Sequence, residues 1–234
     1  MTILYIHGGA YIAGVTRTYH NLAGKLASAL QAEVLLPRYP FAPEHPFPHA
    51  INAMDDAYRF LLARGTAPEN IVIAGDSAGG GLTLALLLSI RDSGLPTPRC
   101  AVVFSPGANS TDDAPQLDAL SRTDVMLSAS MIRNVIKVYI PNTADRTHPY
   151  ASPALGDYTG LPPLMITVAT DECLYDDALR VRARAEAAGV PVTWLERTGL
   201  FHVWPVMVPF LPEARQDIEK VIAFIRHNVA EVKK

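Results

Sequence analysis

The amino-acid sequence predicts an α/β fold, in which a mostly parallel sheet of about six strands is flanked by helices. Short apolar runs alternate along the chain with longer stretches of helical period. The apolar runs are nearly continuous in Val, Ile and Leu, as is typical of strands covered on both faces. The 234 residues are 49% apolar and 18% charged, which suits one large globular domain over residues 1–234.

The first half of the chain supplies three strands and three helices. TILYI is the first strand, and the helix RTYHNLAGKLASAL follows with its leucines on one face. EVLLPRY is the second strand, and PHAINAMDDAYRFLLARG is the second helix, with Pro48 near its start and Gly65 after its end. NIVIAG is the third strand. The third helix, AGGGLTLALLLSIRDSG, is apolar nearly all round, which predicts a buried position.

The second half continues the alternation around one long interruption. CAVVFSP, PLMITVAT and VPVTWLER are the fourth, fifth and sixth strands. ECLYDDALRVRARAEAAG is the helix between the last two, and LPEARQDIEKVIAFIRHNVAEVK closes the chain. Residues 107–150 separate the fourth and fifth strands and hold a predicted helix over 129–140. Because an insertion of that length is usually functional, we expect a reduced helical lid over the functional site.

Composition and charge exclude several classes of function. The net charge is −3, which argues against nucleic acid or an anionic membrane as a partner. The longest apolar run, LTLALLLSI, is too short to span a bilayer, and the start lacks the pattern of a signal peptide. Cys100 and Cys173 make neither a disulfide framework nor a metal-binding pattern. These observations predict a soluble cytoplasmic protein with reduced cysteines and no metal.

Ser77 lies in a motif that predicts a nucleophile. GDSAG (residues 75–79) has the pattern G-x-S-x-G and lies between a predicted strand and a predicted helix. In that context the serine occupies a strained turn at the carboxyl end of the sheet, and the glycines let strand and helix approach each other. The N-terminus of the following helix adds positive potential where an oxyanion would form.

A serine nucleophile needs a base, and the base needs an acid to hold it. TDECLYDD follows the fifth strand directly, and GLFHVWP follows the sixth. His202 is therefore expected on a loop at the same edge of the sheet as Ser77. The carboxylates after the fifth strand are candidates for the acid.

HGGAY, at the end of the first strand, supplies backbone N–H donors. The consecutive N–H groups of Gly8, Gly9 and Ala10, together with that of Ala78, predict an oxyanion hole. Glycine is needed there because the backbone must approach the reacting carbon closely. His7 is expected to fix its own loop by hydrogen bonding, not to act as a second base.

At this point the sequence resembles the hormone-sensitive-lipase-like carboxylesterases of bacteria (family IV), in the α/β-hydrolase superfamily. HGGAYIAG is similar to the family's HGGG stretch, YPFAPEHPFPHA to its Y-R-L-A-P-E-H-P-F-P-A-A segment, and GDSAGGGL to the nucleophile motif of its GDSAG subgroup. GLPPLMITVATDECLYDDA, AAGVPV and GLFHVWP match the acid and histidine regions in order and spacing. The resemblance covers almost the whole chain. It implies an α/β-hydrolase fold, hydrolysis of short-chain acyl esters and no cofactor.

The resemblance also implies roles for individual residues. Ser77 matches the nucleophile and His202 the general base, while Gly9, Ala10 and Ala78 match the oxyanion donors. Ala10 departs from the family, which usually has glycine at this position. Its N–H is retained, but its Cβ is expected to project near the site and narrow the pocket.

The triad acid has two candidates. The family pattern Asp-Pro-Leu places the aspartate two residues before the leucine. Aligned on Leu174, that position holds Glu172, with Asp171 beside it. The spacing favours Glu172, and glutamate serves in some hydrolase triads, with Asp171 as the alternative. Asp176 matches a second family aspartate and is expected to cap a helix, not to catalyse.

The chain reaches His-Gly-Gly after six residues, whereas family members carry several dozen residues ahead of this motif. The resemblance therefore implies six parallel strands in the spatial order second, first, third, fourth, fifth and sixth, with EVLLPRY at an exposed edge. With half of the lid lacking, a shallow and wet acyl pocket is expected. An open edge favours pairing with another copy, so a homodimer is an expectation. A truncated chain or a mis-assigned start would explain the same beginning.

Together these observations predict a serine carboxylesterase that hydrolyses short-chain acyl esters through a Ser-His-acid triad and an acyl-enzyme intermediate. The same residues could instead open lactones or cleave amides or carbamates. A catalytically weak binding protein on the same fold is the alternative from another class, although such proteins tend to lose a triad member. A redox or metal role for Cys173 is disfavoured because no second cysteine or histidine accompanies it, so packing is expected.

Overall fold

A six-stranded parallel sheet forms the centre of the computed structural model, which describes residues 1–14, 16–111 and 113–230. The strands are β1 (Thr2–Ile6), β2 (Glu33–Leu35), β3 (Ile71–Asp76), β4 (Cys100–Phe104), β5 (Leu164–Ala169) and β6 (Val192–Arg197). Their spatial order is β2-β1-β3-β4-β5-β6, and every neighbouring pair is parallel. The predicted fold class and strand order are confirmed.

Helices cover the sheet and form the insertion after β4. They are α1 (Arg17–Leu30), α2 (His49–Ala63), α3 (Ala78–Asp92), α4 (Leu117–Leu120), α5 (Ala129–Tyr139), α6 (Tyr175–Ala187) and α7 (Pro212–Ala230). The sequence did not predict α4, because four residues are too few to show a helical period. Positions 231–233 of the last predicted helix lie outside the described residues. Within the described ranges, no helix combines the length and apolarity needed to cross a membrane.

The second strand is shorter than predicted. The run EVLLPRY covers residues 33–39, but β2 ends at Leu35. Pro37 follows two residues later and has no backbone N–H to donate to a ladder of hydrogen bonds. Within the described part of the chain, β1 is the only neighbour of β2, which therefore forms one edge of the sheet, as predicted.

Alternating side chains of the strands divide the core into two layers. On β1, Leu4 and Ile6 face a cluster that includes α2, α3 and α6. Ile3 and Tyr5 face the opposite cluster, which includes α1 and α7. The side chains of α3 are buried from Ala78 to Ile90, as its uniformly apolar sequence predicts.

Parallel strands place all of their carboxyl ends at one edge. The segments after β1, β3, β5 and β6 therefore meet there, together with the lid segment (residues 107–150) that follows β4. Residue 112 of the lid segment lies outside the described residues. α5 is amphipathic and faces the same edge with the side chains of Ile132, Val135 and Ile136. This arrangement gathers the predicted functional residues at one position.

Candidate active site

Ser77 occupies a strained turn between β3 and α3. Its φ of 53° and ψ of −122° lie outside the regions that non-glycine residues usually adopt. The turn is held by the Ser77 N–H, which donates to the Phe104 carbonyl oxygen over 2.8 Å. A Cβ on Gly79 would collide with the carbonyl oxygens of Ile6 and His7, so only glycine allows α3 to approach β1 this closely. The motif therefore has the geometry that its sequence predicts.

His202 lies on the segment after β6 and contacts this serine. Its Nε2 is 2.9 Å from Ser77 Oγ, a hydrogen-bond distance for a nucleophile and its base. The side chain is only 3% exposed. The structure thus brings together two predicted residues that are 125 positions apart in the sequence.

Glu172, not Asp171, lies beside the histidine. Glu172 Oε2 is 3.5 Å from His202 Nδ1, and both side chains are buried. Asp171 points elsewhere, since its Oδ2 accepts the N–H of Gly199 over 2.8 Å on a partly exposed surface. The positions therefore favour Glu172 as the acid and give Asp171 a contact with the loop that leads to His202.

The glycine turn (Gly8–Tyr11) holds three of the four predicted oxyanion donors. The N–H of Gly8 already donates to Asp76 Oδ1 and to Tyr19 Oη, both over 3.1 Å. These bonds argue against the predicted role of Gly8 as an oxyanion donor. Among the described residues, the N–H groups of Gly9, Ala10 and Ala78 have no protein acceptor. They remain the candidate donors.

Left-handed backbone shapes the glycine turn. Gly9, Ala10 and Tyr11 have φ values of 114°, 54° and 62° in succession. Such values suit glycine and cost energy for other residues. Ala10 lines the cavity beside Ser77, and the narrowing of the pocket by its Cβ stays a prediction.

His7 is part of the support of this turn. Its Nδ1 donates to the Gly8 carbonyl oxygen over 2.7 Å, and its ring stacks on Tyr39 with centroids 4.4 Å apart. Burial lowers the pKa of this imidazole, which favours the neutral form. The expected role in fixing its own loop agrees with these contacts.

Asp76 links the nucleophile motif to the glycine turn, a connection that sequence reasoning missed. Its carboxylate accepts from the hydroxyls of Tyr5 over 3.0 Å and Tyr19 over 2.8 Å, besides the N–H of Gly8. Burial raises the pKa of Asp76 to about 6, although these three hydrogen bonds lower it. Asp76 is the second residue of the nucleophile motif, so its place in the sequence was known. Its contact with Tyr19 of α1 becomes visible only in the folded structure.

Two more residues that the sequence motifs do not mark support the histidine loop. Ser105, directly after β4, contacts both Glu172 and the backbone of Val203. Asp217 of α7 is fully buried and accepts from Trp204 Nε1 over 3.0 Å and from the guanidinium of Arg197 over 2.7 and 2.9 Å. Asp217 therefore ties α7 to both ends of the segment that carries His202.

A small apolar cavity opens beside Ser77. Its volume is about 70 Å³, and its wall includes Ala10 and Ala78 together with the lid side chains Leu127, Met131, Ile132, Val135 and Ile136. Asp177 also lines it and accepts the N–H groups of Ala108 and Asn109. Burial raises the pKa of Asp177 to about 7. The cavity is therefore mainly apolar, with one carboxyl group at its wall.

The remaining predicted residues have structural contacts. Asp176 does not cap α6, since its carboxylate accepts from the backbone N–H and the side-chain amide of Gln116 in the lid segment. Cys173 packs against Leu117 and Ala129, and burial raises the pKa of its thiol to about 12. In the described ranges, no group of three or more His, Cys, Asp or Glu side chains is arranged to hold a metal ion.

Comparisons with known proteins identify the family of the chain. The family model of the α/β hydrolase fold matches residues 3–206. The acetyl-hydrolase of Streptomyces hygroscopicus is 42% identical over 230 residues, which cover 98% of this chain and 77% of that protein. The esterase of Acinetobacter venetianus is 36% identical and is matched over 95% of this chain and 73% of its own length.

Solved structures that are similar to this chain are also esterases. The crystal structure of an esterase from the bacterial hormone-sensitive lipase family has a TM-score of 0.93 and 36% identity, with 97% of this chain and 76% of that chain covered. The esterase EstE5, in crystals soaked with p-nitrophenyl butyrate, has a TM-score of 0.92 and 42% identity, over 98% of this chain and 77% of its own. The chain therefore belongs to the α/β hydrolase fold family and, within it, to the hormone-sensitive-lipase-like esterases of bacteria.

Proposed function

We propose that this protein is a serine carboxylesterase that cleaves esters of short acyl groups. Ser77 attacks the ester carbonyl while His202 accepts its proton, and Glu172 stabilises the imidazolium that results. The N–H groups of Gly9, Ala10 and Ala78 bind the oxyanion of the tetrahedral intermediate. His202 then protonates the leaving alcohol, and water hydrolyses the acyl-enzyme by the same steps.

The observation that carries this proposal is the 2.9 Å contact between Ser77 Oγ and His202 Nε2 on a strained turn. Beside that contact lie backbone N–H groups to which the described residues offer no acceptor. The positive end of α3 lies there too and favours developing negative charge. A nucleophile, its base and oxyanion donors in one place are the requirements of acyl transfer. The names of the esterase and acetyl-hydrolase relatives support ester cleavage.

The size of the cavity supports a short acyl group. About 70 Å³ is roughly half the volume of about 150 Å³ in which an apolar protein cavity admits benzene. The apolar wall favours an unsubstituted carbon chain of a few atoms. Crystals of EstE5 were soaked with p-nitrophenyl butyrate, an ester with a four-carbon acyl group.

Hydrolysis of p-nitrophenyl acetate, butyrate and decanoate tests the proposal. We expect activity on the two short esters and little on decanoate. Ser77→Ala and His202→Ala should each lower kcat by about 10³-fold or more, because neither leaves an activated nucleophile. A folded Ser77→Ala variant with wild-type activity would refute the assignment. Lactones, anilides and carbamates of matched acyl length, assayed in parallel, test the alternative reactions.

A matched pair of variants tests the choice of acid. Glu172→Gln keeps the shape of the side chain but removes its charge, and we expect kcat to fall by about 10²- to 10⁴-fold. Asp171→Asn should change kcat by no more than a few-fold, since its carboxylate faces Gly199. An equal or larger loss in Asp171→Asn would reverse the assignment.

Dimer formation through the edge strand β2 is a further part of the proposal. The described residues leave one side of β2 without a strand partner, and its backbone groups there can pair with a second copy. Light scattering during size-exclusion chromatography measures the mass directly, and a monomer at micromolar concentration would contradict the dimer. A cytoplasmic location likewise stays a prediction.

A further inference from the structure

Ser105 lies at the centre of the sheet, next to the residues proposed for catalysis. It follows β4 directly, between β3, which leads to Ser77, and β5, which leads to Glu172. The residue is fully buried, and its N–H donates to the Thr167 carbonyl oxygen over 2.7 Å. Its φ of 47° is left-handed, a conformation that favours glycine. A buried serine in a strained conformation requires a physical explanation.

The hydroxyl of Ser105 joins the acid to the histidine loop. Its Oγ accepts the N–H of Val203, the residue after His202, over 3.1 Å. Because that N–H can only donate, the hydroxyl hydrogen is free to donate to Glu172 Oε2, which lies 2.9 Å away. One side chain therefore fixes the position of the carboxylate relative to the backbone that carries the base.

Glu172 has few other polar partners. Its Oε2 is 3.5 Å from His202 Nδ1, beyond the range of a good hydrogen bond. In the described part of the chain, Glu172 Oε1 and His202 Nδ1 are both buried without a hydrogen-bond partner. Ser105 thus donates the only hydrogen bond that the described residues give to this carboxylate. A buried carboxylate needs such a bond, and a hydroxyl provides a strong one to a charged acceptor.

We propose that Ser105 is a positioning residue, which holds the Glu172 carboxylate in line with His202 so that it can stabilise the imidazolium. The inference rests on the proposed function, in which Glu172 is the triad acid. Glutamate has one more rotatable bond than aspartate, so a carboxylate at this position needs a second anchor to stay beside the imidazole. The hydrogen bond to the Val203 N–H keeps the histidine loop and that anchor at a constant distance.

Two variants separate positioning from stability. Ser105→Ala removes the hydroxyl and keeps the strained backbone, whereas Ser105→Gly removes the hydroxyl and relieves the strain. We expect both variants to lower kcat for p-nitrophenyl butyrate by about tenfold with little change in KM. If stability alone mattered, Ser105→Gly would keep wild-type kcat, and that result would overturn the proposal.

A matched control removes a similar bond elsewhere. Ser89 is a buried serine of α3 whose Oγ donates to Asp55 Oδ1 over 2.9 Å. Ser89→Ala deletes the same kind of hydroxyl-carboxylate contact between α3 and α2. It should leave kcat unchanged.

The pH profile and a double-mutant cycle give the decisive readouts. Without the anchor, the carboxylate stabilises the imidazolium less, so the acid limb of kcat/KM in Ser105→Ala should move to lower pH by about half a unit or more. In a Glu172→Gln background, Ser105→Ala should change kcat less than twofold, because the group that it positions has lost its charge. An unshifted acid limb, or a tenfold loss that persists in this background, overturns the inference. If wild-type activity does not depend on Ser77, the proposed function itself fails, which is a separate result.

Discussion

Ala10 is the residue of the glycine turn whose side chain is a single methyl group. It has a left-handed φ of 54° and lines the cavity beside Ser77. Glycine at this position would keep the backbone N–H and remove the only side-chain carbon. We therefore expect the size of the side chain at position 10 to influence which acyl groups fit the cavity.

Ala10→Gly should widen the cavity next to the nucleophile. We expect the ratio of kcat/KM for p-nitrophenyl isobutyrate to that for the acetate to rise about threefold or more, since one methyl of discrimination is worth about 1 kcal/mol. Ala13→Gly is the matched control, because Ala13 is exposed and does not line the cavity. An unchanged ratio in Ala10→Gly would show that the Cβ of Ala10 does not limit the acyl group.

Asp76 should make stability depend on pH. Its pKa is raised by burial to about 6, whereas the same carboxyl in the unfolded chain titrates near pH 4. Below pH 4 the Asp76 carboxyl is neutral in both the folded and the unfolded protein, and its contribution to the free energy of unfolding is fully present. That contribution is lost as the pH rises through 6. The free energy of unfolding of the wild type, relative to Asp76→Asn, should fall by up to about 3 kcal/mol from pH 4 to pH 7.

Urea unfolding of both proteins at each pH measures that difference. The comparison cancels the titration of Asp177 and of other groups that the two proteins share. A difference that stays constant or grows with pH would mean that Asp76 is ionised at lower pH than its burial implies.

The space around the glycines differs between α1 and α3. Gly24 lies in the exposed face of α1, and a Cβ there would meet nothing within 4 Å. Gly79 in α3 has backbone carbonyl oxygens where its Cβ would be. The effect of alanine on stability therefore depends on helix propensity at Gly24 and on close packing at Gly79.

Gly24→Ala should stabilise the protein by about 1 kcal/mol, the difference in helix propensity. Gly79→Ala should destabilise it severely, because α3 would have to move away from β1. Thermal unfolding measures both, and a loss of stability in Gly24→Ala would contradict the open surroundings of that position.

α5 is joined to the glycine turn by one aromatic contact. The rings of Tyr11 and Tyr139 stack with centroids 3.6 Å apart and an interplanar angle of 2°. The Tyr139 hydroxyl is buried without a hydrogen-bond partner among the described residues. The ring and the hydroxyl of Tyr139 thus have opposite effects on stability.

Tyr139→Phe should therefore stabilise the protein by about 1 kcal/mol, since it removes an unsatisfied polar group and keeps the ring. Tyr139→Leu loses the stack, so we expect a destabilisation of about 1 to 3 kcal/mol and a lower kcat, because Tyr11 adjoins the candidate oxyanion donors. Urea unfolding and p-nitrophenyl butyrate hydrolysis measure the two effects. Equal stability of the two variants would mean that the stack contributes nothing.

At the scale of the whole molecule, the two core layers share one sheet, which predicts a single cooperative unit. The two tryptophans lie on opposite faces, with Trp194 packed against one layer and Trp204 buried in the other. Trp194→Phe and Trp204→Phe each leave one fluorescent reporter. In each variant we expect the fluorescence transition in urea to coincide with the loss of helical circular dichroism. Fluorescence transitions at different urea concentrations in the two variants would mean that the two layers unfold independently.

The sequence predicted the parallel α/β class because the alternation of continuous apolar strands with helices depends on local pattern. The order of the strands in the sheet followed only from the resemblance to the hormone-sensitive-lipase-like family. The sequence also indicated that Ser77 and His202 share one edge, since both follow parallel strands. It did not indicate the contacts of Ser105, Asp76 and Tyr19, which depend on the register of three strands and on side-chain rotamers. Pro37 shortened β2 in a way that propensity alone could have suggested.

The long sequence separation of the site has a consequence for biosynthesis. Candidate donors at positions 9 and 10 precede the histidine at 202, and β5 and β6 must join the sheet before His202 can reach Ser77. We therefore expect a nascent or proteolysed chain that lacks β6 to have no hydrolase activity, since its candidate base would not be in place. Recovery of ester hydrolysis during refolding would therefore measure the completion of the sheet.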